Sequence, residues 1–438
     1  MSRHDLSGKQ VLVLGAYGFI GAAVTRALQA ESATVQGMVR DLGQGSKILP
    51  GVSLKQGDLR ELLVAQDWQD LLTDVDVVVN CAGALQDNAD DDLEAVHHTA
   101  IAALADGCMD HGASVVQISA IGAGAAASTH FLRSKAAGDA ALRASGVPLW
   151  ILKPGLVIGQ TDYGGSALLR MLAAVPWVQP LAYPDTPVQC VGMQDLCKAV
   201  TDAVAGHLPQ GTYDLVEDTP QSLAEVVRST RRWLGFPETR FTVALPPILT
   251  KAVAELADGL ARVGWKSPLR STALTVMADG VTGDPEPYRA ASGLGVASLT
   301  DIYATLPCAR EHRLTAQMTL LMPLVVATLS LFWLLSGLFG LVSLSTASDV
   351  LIGAGWSAPM ALAGVVFWSL GDIVLGLAIL WRPWAARACQ AQIAVAMFYL
   401  IAASITAPDL WSDPLGPLVK ILPAMILSLV ALPMLDRR

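Results

Sequence analysis

The 438-residue sequence predicts two fold classes in series: an open, doubly wound parallel α/β sheet, then an all-α bundle of four membrane-spanning helices. Three observations carry that expectation. Short unbroken apolar runs, such as Gln10–Leu14 (QVLVL) and VDVVVN at 75–80, have the length and β-branched content of parallel strands buried on both faces. Helical patterns alternate with these runs, as the crossovers between parallel strands require. From Leu314 onward charges become scarce and long apolar stretches take over.

The elements follow in order. QVLVL leads into GAYGFIG (Gly15, Ala16, Tyr17, Gly18, Phe19, Ile20, Gly21) and a helix to about Ala30. The first glycine permits a tight turn, the second lets backbone approach a pyrophosphate, and the third allows close packing of helix on strand. A diphosphate then sits at the helix N-terminus, where free N–H groups and the dipole favour anions. This is the pattern of a Rossmann-type dinucleotide site. A second strand ends at Val39, and the residue after it selects the cofactor. Arg40 suits the 2′-phosphate of NADP(H), whereas the next residue, Asp41, keeps NAD(H) in play; NADP(H) is the favoured reading.

A third strand ends in Gly57-Asp58-Leu59, where Asp58 can accept the adenine amino group. The fourth runs into Cys81-Ala82-Gly83, small residues that let backbone lie against the ribose. The acidic stretch QDNADDDLE reads as a solvated loop and helix start rather than a metal site. A helix to about His111, a strand SVVQIS (114–119) and a sixth strand LWIL (149–152) follow. Further on, Pro187–Val191 reads as strand, Met193–Ala205 as helix and Gly211–Val216 as strand. Ser222 and Glu225 form a capping box for a helix to about Leu234.

Composition excludes some classes. A net charge of −9 without clustered Lys and Arg argues against a nucleic-acid partner. The six cysteines show no CxxC and no Cys/His metal spacing, which predicts that most are buried thiols in a reducing compartment and that no metal is bound. The first segment, MSRHDLSGKQVLVLG, has no apolar core ahead of a cleavage site, so it is expected to be a strand of a cytoplasmic domain.

The order GxxGxxG, GDL, NCAG, VVQISAIGA and FLRSKAAGDAALRASGVPLWILKPGLVIG resembles the short-chain dehydrogenase/reductase (SDR) superfamily. Within it the likeness is to the atypical NmrA-like branch, including the SDR-like accessory subunit of respiratory complex I. The resemblance covers residues 8 to about 235, and 236–312 loosely. It implies a diphosphate loop at Gly15–Gly21, Asp58 and Leu59 at the adenine, Cys81, Ala82 and Gly83 at the ribose, and Pro154 to Val157 beside the nicotinamide. It further implies a catalytic Ser, Tyr and Lys, the last two as YxxxK on one helix. Ser119 matches the Ser and Lys135 the Lys, but the Tyr position holds Phe131, which cannot exchange a proton. Tyr163 could enter the pocket from another side, though nothing in the sequence positions it. Two readings stand: an oxidoreductase taking its proton from Ser119, water or substrate, and a non-catalytic NADP(H)-binding scaffold, redox sensor or assembly factor for a membrane complex.

Four stretches are long and apolar enough to cross ~30 Å of hydrocarbon: Met318–Leu341, Met360–Trp381, Gln390–Ile405 and Leu415–Leu435. Arg310, Arg313, Arg382, Arg387, Arg437 and Arg438 mark one side, while the other loops carry Asp349, Asp409 and Asp413. By the positive-inside rule the N-terminal domain and both termini are cytoplasmic, in an inner or cytoplasmic membrane. Segments LLSGLFGL, GDIVLGLAIL and DLWSDPLGPLVKILP resemble the DoxX-like family of four-helix membrane proteins, over about 315–435. The domain boundaries expected are 1–235, 236–313 and 314–438, with a lipophilic carbonyl or quinone, or a membrane complex, as partner. Asp372 and Lys420 are intramembrane charges, read either as an ion pair or as a protonated acid and a snorkelling amine.

Overall fold

The computed structural model describes residues 4–86, 92–265, 267–414 and 416–435. Part of the acidic stretch (87–91) and the final arginines Arg437 and Arg438 lie outside them. The described chain divides into two compact units: Met1–Asp258 with Ser267–Ala316, and Gly259–Lys266 with Gln317–Arg438.

The first unit is built on seven parallel strands: β1 (Gln10–Leu14), β2 (Thr34–Val39), β3 (Ser53–Gln56), β4 (Val77–Asn80), β5 (Ser114–Ile118), β6 (Leu149–Pro154) and β7 (Gly211–Leu215). Their spatial order is β7-β6-β5-β4-β1-β2-β3. Period-2 alternation feeds two cores. Val11, Val13, Val77 and Val79 bury into one face, beside helix α1 (Phe19–Ala30). Leu12, Leu14, Val78 and Val115 bury into the other, beside helix α2 (Ala100–His111). Strands covered on both faces need apolar residues at most positions, and the buried exceptions Asn80 and Gln117 hydrogen-bond each other, Nδ2 to Oε1 at 2.8 Å. The strand order reverses between β1 and β4, whose register pairs Leu14 with Asn80. That reversal opens a crevice beyond the strand ends, the usual ligand position in open α/β sheets.

Some elements differ from expectation. The third strand stops at Gln56, because Asp58 turns the chain by capping the 3-10 turn Leu59–Glu61. A π-helical turn, Ala95–Thr99, precedes α2. The predicted strand Pro187–Val191 is two short strands, Pro187–Val188 and Cys190–Gly192. The capping box forms as expected, with Ser222 Oγ accepting from Glu225 N–H and Glu225 Oε2 accepting from Ser222 N–H. Cys108, Cys190, Cys197 and Cys389 are buried free thiols, whereas Cys308 is exposed.

Among the described residues, four helices are long and apolar enough to cross a membrane: Arg310–Val342, whose first turns belong to the first unit, and Ala358–Ala378, Arg382–Thr406 and Pro417–Leu435 in the second. At most 28% of any span's most apolar window is buried, so their large aliphatic side chains face outward as lipid-exposed helices do. The expected loop between the first two spans is mostly a helix, Leu344–Gly353. The third span starts earlier than expected, since its leading AARA consists of good helix formers.

The Asp372–Lys420 pair does not form. Asp372, 4% exposed, accepts hydrogen bonds from Ser336 Oγ (2.7 Å) and Tyr399 OH (2.8 Å), and Lys420 is exposed. Depth explains it. Arg382 Nη2 donates to Leu435 O (2.6 Å), which levels the ends of the second and fourth spans. At 1.5 Å rise per residue, Asp372 is about 15 Å from Arg382 and Lys420 about 22 Å from Leu435, more than a helical turn apart in depth. Asp372→Ala should therefore lower thermal stability in detergent by roughly 1–2 kcal/mol, through two lost interhelical bonds, while Lys420→Ala leaves it unchanged. Equal losses for the two variants would restore the pair.

Candidate cofactor site

The strand ends at the sheet reversal bring two loops together. Gly15 sits at φ +68°, and a Cβ there would lie 2.9 Å from Ala82 Cα. Cys81 N–H donates to Leu14 O (3.1 Å), fastening the second loop to the first. Gly18 N–H donates to Gly15 O (2.9 Å), closing the turn that launches α1 at Phe19. A Cβ on Gly21 would collide with Gly15 O. The loop therefore presents backbone to the crevice, and the first-turn N–H groups of Phe19, Ile20 and Gly21 have no acceptor within their own helix. Tyr17 and Phe19 pack partly buried against the core.

Arg40 is exposed at the end of β2. Its neighbour Asp41 is engaged as a helix cap, its Oδ1 accepting from Gln44 N–H (3.0 Å). Asp58 accepts from the Arg60 guanidinium at 2.6–3.2 Å. Burial raises its carboxyl, but the Arg60 hydrogen bonds and charge, with Arg40, hold it below the ordinary value. Leu59, behind it, is buried in the core.

Helix α3 (His130–Ser145) carries Phe131, Lys135 and Asp139 at four-residue spacing, hence on one face. Lys135 is buried, and its Nζ donates to Ile118 O (2.9 Å). Burial lowers its pKa, with Asp139 and Cys81 opposing. Ser119 is also buried, and its Oγ donates to Asp139 Oδ2 (2.5 Å). Burial pushes the Cys81 thiol above its ordinary value, which keeps it protonated. Gly83 lies where a Cβ would be 3.3 Å from Lys135 Nζ, so the loop and the amine are adjacent. Pro154 and Val157 are buried at and just beyond the end of β6. Tyr163 stands 61% exposed ahead of the helix Gly165–Ala173.

His97 is a residue that sequence reasoning missed. Its Nε2 accepts from Ala84 N–H (3.1 Å), its Nδ1 meets Ser134 Oγ (2.9 Å), and its ring stands edge-on to Phe131 at 5.7 Å. Since a backbone N–H can only donate, the ring hydrogen belongs on Nδ1. Ser134 Oγ passes the chain on to Phe131 O (3.0 Å). The π-turn that aims His97 inward had no local signature, and a lone histidine in a helix carries none. Among the described residues no group of three His, Cys, Asp or Glu could hold a metal ion.

Burial, with the charges of Lys135 and His130, pushes His97 down from 6.5 to about 2. Between those values the unfolded chain binds a proton that the folded chain refuses, so stability falls as pH drops below 6.5. The loss should be about 2 kcal/mol between pH 6.5 and 5. Denaturation of His97→Gln at both pH values should lack this component. An unchanged slope would place the acid sensitivity elsewhere.

Residues 15–168 match the NAD(P)H-binding family and residues 330–429 the DoxX-like family. Among solved structures, the chain is similar to the Bordetella bronchiseptica enzyme WbmG in complex with NAD (TM-score 0.52, 16% identity, covering 68% of this chain and 92% of that one). It is similar to the Escherichia coli NADPH-dependent quinone oxidoreductase QOR2 complexed with NADPH (TM-score 0.51, 16%, covering 67% and 98%). A third is the Citrobacter triphenylmethane reductase complexed with NADP(H) (0.51, 16%, covering 68% and 100%). No curated protein matches. At such identities the likeness is one of fold. The chain joins an NAD(P)H-binding domain of Rossmann fold to a DoxX-like domain, the latter within a set of helices long and apolar enough to cross a membrane.

Proposed function

We propose that the chain is a membrane-anchored NAD(P)(H)-dependent oxidoreductase that prefers NADP(H) and reduces an electron-poor lipophilic acceptor of the quinone class. Its SDR-like domain and both ends of the bundle face the cytoplasm, where the arginines of the Trp381–Arg387 loop belong.

The observation that carries this reading is the side chain at Phe131. Hydride transfer to an unactivated ketone yields an alkoxide, which needs an acid at once. Hydride transfer to a quinone yields a hydroquinone anion, weakly basic enough to take its proton from water. A pocket with phenylalanine in place of the phenol fits the second acceptor and not the first. The other hydrogens nearby are committed: Ser119 to Asp139, His97 to Ser134, and Ser134 to Phe131 O. Lys135 has three donors and uses one on Ile118 O, which leaves it able to hold ribose hydroxyls.

NADP(H) preference is supported by the division of labour after β2. Asp41 is occupied as a helix cap, so it is poorly placed to receive a ribose 2′-OH, while Arg40 extends from the same turn. The bundle supplies the lipophilic side of the proposal, since it keeps the site beside a pool of membrane-dissolved substrate.

A second reading is favoured by one specific observation. The hydroxyl at Ser119, offered by resemblance as a substrate contact, donates into a buried carboxylate. That arrangement suits a bound nucleotide that is never turned over, a structural ligand stabilising the domain by mass action.

Calorimetric titration of the detergent-purified chain should give NADPH binding at least about tenfold tighter than NADH, and Arg40→Ala should erase the difference. Equal affinities in the parent protein would remove the NADP(H) assignment. With NADPH bound, loss of absorbance at the reduced nicotinamide band is expected on adding a naphthoquinone but not a simple aliphatic ketone. Phe131→Tyr should leave the quinone rate within about twofold, because no enzymic acid is used there. Binding without oxidation by either acceptor would leave the scaffold reading standing.

A further inference from the structure

Helix α4 (Pro247–Ala261) has the wrong faces for a helix in water. Its buried side is lined by small groups, Thr250, Ala254 and Ala257. A second side carries Lys251 and Glu255, an exposed ion pair at 3.8 Å, with Arg262 continuing it. The third side is apolar and exposed: Ile248 (85%), Ala252, Leu256 (66%) and, past the helix end, Val263. Spacings of four keep Ile248, Ala252 and Leu256 on one stripe of the helix. An ordinary surface helix turns its largest aliphatic residues inward. This one turns them out.

The chain just beyond α4 says what covers the stripe. Trp265 Nε1 donates to Leu380 O (2.6 Å) and Arg382 N–H donates to Val263 O (2.9 Å). The Arg382 guanidinium lies 5.4 Å from the Trp265 ring. Leu380 and Arg382 follow the end of the second span, where Trp381 and Trp384 stack at 5.8 Å and both stand half exposed. Stacked, exposed tryptophans beside arginines at a span end mark the headgroup level of a bilayer.

We propose that α4 is an in-plane membrane helix, seated at the headgroup–acyl boundary of the leaflet that receives the end of the second span. Ile248, Ala252, Leu256 and Val263 enter the lipid, and Lys251, Glu255 and Arg262 stay at the polar rim. A helix fastened at the interface by its C-terminal extension, with one dry stripe along its length, meets lipid along that stripe when it lies flat.

The test uses the full chain, in a Cys308→Ser background, reconstituted in lipid nanodiscs with a nitroxide at one engineered cysteine. At Leu256→Cys the label should collide several-fold more with oxygen than with a water-soluble nickel chelate, and at Glu255→Cys the order should reverse. Ala252→Cys, on the same stripe, replaces Leu256→Cys if that variant does not fold. Equal nickel access at stripe and rim would overturn the proposal. So would exclusion of both reagents from the stripe together with label-to-label dipolar coupling, which would assign the face to a second copy of the chain.

Discussion

The cofactor end of this protein depends on one close approach. The backbone of Gly15 passes so near Ala82 that a single extra carbon would sit 2.9 Å from its Cα. From that constraint the rest follows locally. The turn at Gly15 aims the start of α1 at the crevice, Gly21 lets the helix settle on the turn, and the Cys81–Gly83 loop is held against Leu14 by a main-chain bond. The crevice is a product of strand order, since β1 has β2 on one side and β4 on the other. The glycine loop thus presents backbone, not side chains, to the crevice.

Around the expected nicotinamide position, protons are organised rather than offered. His97 is held neutral, its ring oriented by Ala84 on one side and Ser134 on the other. Ser119 and Asp139 form a closed pair, and the Phe131 ring packs T-shaped against His97. The polar groups here are satisfied by one another rather than left open.

Much of this was legible in the sequence, for reasons particular to each element. The strands could be read because burial on both faces demands unbroken β-branched runs, and GAYGFIG because only glycine tolerates its contacts. The spans could be read because hydrocarbon thickness sets their length. What stayed hidden depended on partners distant in the chain. Asp139 meets Ser119 across 20 residues, and His97 needs the π-turn to reach Ala84. Asp372 finds hydroxyls on two other spans, which charge bookkeeping alone replaced with Lys420. Asp58 was readable as a polar group at the site, but its bidentate engagement by Arg60 was not.

The Ser336–Asp372–Tyr399 cluster has a mechanical meaning for the bundle. It joins the first three spans at a single depth, and hydroxyl-to-carboxylate bonds are short and directional. Turning the second span by one residue, about 100°, would swing the carboxylate toward hydrocarbon at a cost of roughly 3 kcal/mol. The cluster thus acts as an axle pin: it forbids rotation of the spans about their long axes while leaving their ends free to splay.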